Sequence, residues 1–161
     1  MERLWAPWRM QYIGAEQKPG CLFDRVIEHP DDEDARLVVS RPEGAIVLLN
    51  KFPYNPGHAL VAPTAHIGSL EDLDDAQTAD LMRAVRRTII VLKQTMSPHG
   101  FNVGVNIGRE AGAGIPDHVH FHVVPRWNGD TNFMAVIDDV KIVNEALDLT
   151  AEKLRQAFAA T

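Results

Sequence analysis

Three of the chain's seven histidines fall within five residues, in the segment Asp117-His118-Val119-His120-Phe121-His122-Val123-Val124-Pro125-Arg126-Trp127. On an extended strand alternate side chains share a face, so His118, His120 and His122 line one side and Val119, Phe121 and Val123 the other. The apolar side can pack on a core; the imidazole side must meet something polar. One metal ion is a poor answer for all three. At about 3.3 Å per residue the outer Cα atoms stand roughly 13 Å apart, whereas zinc holds nitrogens at about 2.0–2.1 Å. At most two of the three would share an ion.

A row of imidazoles suits a phosphate chain better. Neutral imidazole carries a lone pair on one ring nitrogen and attacks phosphorus at neutral pH, where a hydroxyl must first lose a proton. A backbone carbonyl holding the other N–H would fix the tautomer. The flanking rings can donate hydrogen bonds to phosphate oxygens as charge moves in the transition state. Directly upstream lies Gly108–Asp117 (GREAGAGIPD), whose glycines let backbone N–H groups approach phosphates closely. One ring of the row would attack, with its neighbours among His118, His120 and His122 beside it. Trp127, just past the row, is placed at the pocket rim. Arg109 and Arg126 read first as solvated residues, Arg109 being also a candidate phosphate contact. His29 and His99 receive no role.

The elements that must position this row follow from pattern. Gly44–Asn50 is a short apolar, β-branched-rich strand that stops at the turn-prone Pro53-Tyr54-Asn55-Pro56-Gly57. His58–Pro63 resumes as a second strand, giving an antiparallel hairpin. Asp74 and Gln77 form a reciprocal helix cap, and Leu81, Val85, Ile89, Leu92 and Met96 then make one helical stripe that ends near Pro98 and Gly100. Phe101–Ile107 alternates as a half-buried strand, His118–Pro125 is the histidine strand, and Thr150–Ala160 is a closing helix capped by Thr150. The expected fold is α+β: an antiparallel sheet of about five strands with a long helix and a C-terminal helix.

At 161 residues the chain is one domain's worth, with an ordinary 45% apolar and 24% charged composition. Residues 1–18, containing Leu4-Trp5-Ala6-Pro7-Trp8-Arg9, read as an extended arm, and residues 19–161 as a single domain. No apolar run approaches the ~20 residues of a membrane span, and Arg3 and Arg9 interrupt any signal-peptide pattern. With one cysteine, Cys21, there is no internal disulfide, and the expected address is cytoplasmic. A net charge of −6 argues against a nucleic-acid backbone as partner. The acidic run Asp31–Asp34 reads as a solvated loop.

The segment His118–Val124 resembles the signature of the HIT (histidine triad) superfamily, His-x-His-x-His followed by two apolar residues. The resemblance extends over roughly residues 21–133, through Leu48-Leu49-Asn50, Pro56-Gly57-His58, Val61-Ala62-Pro63 with His66, Asn102–Asn106, Ala111-Gly112 and Pro125-Arg126-Trp127. In detail it looks like the branch of fragile-histidine-triad hydrolases and bacterial diadenosine tetraphosphate phosphorylases. This implies a nucleotide substrate, a nucleotidyl-histidine intermediate on His120, and His122 and His58 holding phosphate oxygens. It further implies Asn50 on the ribose, Asn106 with Gly112 and Gly114 lining the phosphate site, and a homodimer. On local grounds Asn50 serves equally well as a turn cap.

Two departures from the family pattern bear on chemistry. Phosphorylase-like relatives can carry a serine where this chain has Gly114, which leaves water or phosphate open as second nucleophile. Many relatives bind zinc through Cys-x-x-Cys and two histidines; here the set reads Cys21, Asp24, His66 and His118, and aspartate oxygen also ligates zinc. No cofactor is needed for the nucleophile itself, though magnesium can accompany the substrate. The expected activity is therefore dinucleoside polyphosphate hydrolysis or phosphorolysis. The alternatives are a phosphoramidate hydrolase or nucleotidyltransferase using the same histidine, and a nucleotide-binding module without turnover.

Overall fold

The computed structural model describes residues 19–130 and 146–161, so the arm expected over residues 1–18 lies outside the described residues. Five strands, β1 (Val38–Ser40), β2 (Ala45–Leu49), β3 (Ala59–Pro63), β4 (Gly100–Val105) and β5 (Phe121–Arg126), form one antiparallel sheet in the order β1-β2-β3-β5-β4. Among the described residues three α-helices, α1 (Leu22–Glu28), α2 (Asp75–Met96) and α3 (Leu147–Ala159), accompany it. The α+β class, the β2–β3 hairpin and the long and closing helices are as expected. Neither α1 nor β1 was legible, because seven and three residues are too short to display a period.

β2 and β3 pair from Ala45↔Pro63 to Leu49↔Ala59, and both are buried on both faces. Ala45, Val47, Leu49, Ala59, Val61 and Val123 share one core with Leu81, Val85 and Leu92 of α2 and Leu154 and Phe158 of α3. Ile46, Leu48, Leu60 and Ala62, one residue out of phase, pack instead with Phe23 and Val26 of α1. Strand parity thus assigns two layers, one on each side of the sheet. The turn between β2 and β3 needs Gly57, at φ +74°, where a Cβ would stand 2.6 Å from Met96 Sδ.

α2 opens on the expected reciprocal cap: Gln77 N–H donates to Asp74 Oδ1 at 2.8 Å and Asp74 N–H to Gln77 Oε1 at 3.0 Å. It ends at Met96, and Ser97 rather than a glycine takes the left-handed turn, at φ 49°. α3 begins at Leu147, three residues before the expected cap. Thr150 is inside it, buried, with its hydroxyl bonded back to Ala146 O at 3.2 Å; that satisfies the side chain within the helix rather than at its end.

Two further expectations are corrected. β4 is the outer strand of the sheet, and Val103 and Ile107 are 42% and 40% exposed; the alternation is real, but nothing among the described residues covers it. The run Asp31–Asp34 is not a solvated loop. Asp32 caps a 3₁₀ turn over Glu33–Leu37, and Asp34 is buried against Arg25 Nη2 (2.9 Å) and Lys51 Nζ (3.3 Å).

Candidate active site

The paired strand begins only at Phe121; His118 lies at a bend, and Val119 and His120 lead from it into the strand. Its pairing with β3 stops at Val61↔Phe121; continuing would require a donor from Pro63, which has none. Val119 N–H donates instead to Ile67 O at 2.7 Å, which ties the residues before the strand to the segment after β3. Val119 and Val123 are buried, Val123 in the core shared with α2 and α3. On the opposite face Leu48, Leu60 and His122 form a row across three strands, through the pairs Leu48↔Leu60 and Leu60↔His122. A cavity of about 1110 Å³ opens over that row.

Hydrogen-bond partners fix the ring tautomers. His120 Nδ1 lies 2.8 Å from His118 O; a carbonyl only accepts, so the ring donates Nδ1–H and keeps its lone pair on Nε2. Nε2 has no hydrogen-bond partner among the described residues, and the ring lines the cavity. Tyr54 N–H donates to His58 Nδ1 at 3.1 Å, so His58 must carry its proton on Nε2 and donate it to His122 Nδ1 at 3.0 Å. His122 therefore presents Nε2–H on the cavity side. One ring thus turns a lone pair to the cavity and its neighbour, with ring centroids 5.1 Å apart, an N–H.

Burial lowers the proton affinity of all three rings of the row. For His120 it outweighs the opposing pull of the His118 carbonyl, and His122 is pushed down to about 4 by burial first and the adjacent His120 second. His118 moves the same way for the same leading reason. The row is neutral at pH 7, as nucleophilic attack requires. Below the ordinary histidine value of about 6.5 the unfolded chain binds protons that the folded chain refuses. The stability from these rings is therefore complete above about pH 6.5 and declines as pH falls toward 4, where His122 itself protonates. Urea midpoints measured from pH 8 to pH 4 should hold steady and then fall; a flat profile down to pH 4.5 would contradict neutral burial of the row.

The glycine-rich segment forms the facing wall. Gly112 N–H donates to Arg109 O at 2.9 Å and Ala113 N–H to Gly108 O at 3.2 Å, and Gly112 sits at φ +88°. Gly112, Gly114 and Arg109 line the cavity, as does Asn50. Asn50 Oδ1 also accepts from Phe52 N–H at 2.9 Å, and its Nδ2 lies 3.4 Å from His58 Nδ1. Both local and family-based readings of Asn50 are thus compatible with its position.

Several expected lining residues stand elsewhere. His58 is fully buried behind His122 and does not face the cavity. Asn106 follows the end of β4, and no β4 residue borders the cavity, which lies over β2, β3 and the histidine row. Trp127 does not form the rim in the single chain: its indole N–H donates to Met96 O at 3.3 Å, tying it to the C-terminus of α2. Arg126, read as solvated, forks onto Asp130 and bonds Asn102 Oδ1. Two contributors were missed: Phe23, whose ring lies 4.8 Å from His118 and 5.2 Å from His120, and Tyr54, 4.6 Å from His58. Neither carries a signal beyond its place in the Cys21–Asp24 and Pro53–Gly57 segments.

His118 belongs to a second constellation. Its Nε2–H donates to Pro63 O at 2.9 Å, which leaves Nδ1 as a lone pair facing Cys21 Sγ and Asp24 Oδ1, each at 3.3 Å. His66 Nδ1 lies 2.7 Å from Asp24 Oδ2. One ligand atom from each of Cys21, Asp24, His66 and His118 lies within 4.8 Å of every other. A sulfur, a carboxylate and two imidazoles make a zinc-type donor set that could hold a metal ion. Because the same His118 offers its carbonyl to His120, the cluster is joined to the cavity through one residue.

Comparison with known proteins agrees with this geometry. A family model described as the HIT domain matches residues 32–129. AP-4-A phosphorylase of Mycobacterium tuberculosis is 39% identical over 168 residues, spanning 99% of this chain and 85% of that protein. Bis(5'-nucleosyl)-tetraphosphatase [asymmetrical] of Schizosaccharomyces pombe is 34% identical over 58% of this chain and 50% of its own length. Among solved structures, a Zn-bound histidine triad family protein from Mycobacterium smegmatis superposes with a TM-score of 0.70 at 25% identity, covering 88% of this chain and 94% of that one.

Proposed function

This chain belongs to the HIT domain family, and from that premise we propose that it cleaves a phosphoanhydride bond of a dinucleoside polyphosphate. His120 Nε2 attacks the α-phosphorus. A P–N bond forms as the bridging P–O bond breaks, and the remaining nucleotide departs with the electron pair. A phosphate leaving group is already a stable anion, so no acid has to protonate it. Water or inorganic phosphate then attacks the same phosphorus, and His120 leaves with its lone pair restored. His122 Nε2–H and the loop N–H groups hold the non-bridging oxygens, and Asn50 holds the ribose. The observation that carries this reading is the 2.8 Å bond from His120 Nδ1–H to His118 O, which leaves Nε2 free on the cavity wall.

Product analysis tests it. With diadenosine tetraphosphate and phosphate, phosphorolysis yields ATP and ADP and consumes phosphate; with water, ATP and AMP form. The extended similarity to the M. tuberculosis phosphorylase favours phosphate, while Gly114 removes a hydroxyl from the loop. Release of neither product pair under substrate excess would defeat the reading.

Zinc at Cys21, Asp24, His66 and His118 is part of the proposal, as a structural ion that holds His118; magnesium accompanies the substrate's phosphates. The expected result is about one zinc per chain by elemental analysis and lower retention in Asp24→Ala. Saturation at 100 times Kd adds about 2.7 kcal/mol, which raises Tm by roughly 5–10 °C over the chelated protein. No change in Tm on chelation would remove zinc from the account. We propose a homodimer as well, supported by the uncovered edge of β4 with Val103 and Ile107. A cytoplasmic address fits a lone cysteine placed among metal ligands. Among the described residues no helix is long and apolar enough to cross a membrane.

A further inference from the structure

We propose that Arg109 binds the phosphates beyond the one attacked and so selects substrates by phosphate-chain length; the proposal rests on the reading of the site given above. Among the described residues three cationic side chains, Arg25, Lys51 and Arg109, line the cavity. Two are already neutralised by the chain itself. Arg25 pairs with Asp34 (2.9 Å) and Asp32 (3.3 Å), and Lys51 with Asp34 (3.3 Å) and Glu33 (3.9 Å). The Arg109 side chain has no ion pair or hydrogen bond among the described residues.

Its backbone, by contrast, is held. Arg109 O accepts from Gly112 N–H, and the adjoining Gly108 O accepts from Ala113 N–H, so the residue sits in a closed double turn. Gly112 and Gly114, further along the same segment, line the same cavity. A fixed root with an uncommitted guanidinium suits a polyanion whose number of charges varies. The planar fork bonds phosphate oxygens in pairs and cannot lose its proton. In a chain of net charge −6, whose cavity also borders Asp117, this is, among the described lining residues, the cation left to offset a triphosphate. A nucleoside monophosphate, whose single phosphate is held at His120 and His122, draws little on it.

The test measures Kd for AMP and ATP by calorimetry on the full chain, wild type, Arg109→Ala and Arg109→Lys, with kcat/KM for diadenosine tetraphosphate alongside. Arg109 is exposed, so both variants should fold normally. The expected result is a Kd ratio of AMP to ATP that falls about tenfold in Arg109→Ala. Arg109→Lys should lie between, since it keeps the charge and loses the fork, and kcat/KM should fall by a similar factor. A ratio within twofold of wild type overturns the proposal, as does an equal loss of AMP and ATP binding. If the wild type binds neither nucleotide, the underlying reading of the site fails first and this one with it.

Discussion

Replacing His120 with Asn should lower turnover of a dinucleoside polyphosphate by at least about 10⁴-fold, the scale on which loss of a covalent nucleophile acts. Asn can still donate an amide N–H toward His118 O, as the histidine does at 2.8 Å, and it offers no nitrogen lone pair in return. What it removes is the attacking atom. The site is 4% exposed and rests on Phe23, whose ring centroid is 5.2 Å away, so the smaller polar group costs some packing but leaves the sheet pairs of β5 intact. Circular dichroism and urea unfolding should report a folded variant. Near-normal turnover in a folded His120→Asn protein would exclude His120 as the nucleophile.

His122→Ala is expected to lower kcat by about 10²–10³-fold, the effect of deleting one donor to a developing anion. The more informative companion is His58→Phe, which keeps a buried ring and removes the Nε2–H that His58 gives to His122 Nδ1 at 3.0 Å. Without that donor His122 can place its proton on Nδ1 and turn a lone pair toward the phosphate, losing about one order of magnitude. If His58 acts only through His122, the two losses will not add: the double variant should be no slower than His122→Ala alone. Full additivity would mean that His58 reaches substrate by some other route, which its complete burial argues against.

The parts of this molecule legible from sequence are those whose causes are local. The Asp74–Gln77 cap, the stripe on α2 and the β2–β3 hairpin are each specified within a few residues, and each stands as expected. Of the histidine row, His120 and His122 share the cavity as expected, whereas His118, at a bend before the paired strand, faces Cys21 and Asp24 instead. What escaped depends on pairs far apart in the chain. His58 was assigned to phosphate because nothing near it announces that His122, 64 residues on, takes its proton. Asp34 looked solvated because its partners Arg25 and Lys51 come from α1 and the end of β2. Trp127 was drawn to the rim by its neighbours in sequence, yet the C-terminal carbonyl of α2 holds it away. The exposed apolar residues of β4 mark the opposite limit: a strand pattern states that one face will be covered without naming what covers it.

Covalent capture of the nucleotide bears most directly on the chemistry. Protein mixed briefly with excess diadenosine tetraphosphate, denatured at alkaline pH to preserve a P–N bond and mapped by mass spectrometry, should carry an adenylyl group on the peptide containing residues 118–122. Fragmentation should assign it to His120, and the His120→Asn protein should carry none. An adduct on another residue, or turnover with no adduct at any time in a single-turnover series, would contradict attack by the His120 imidazole.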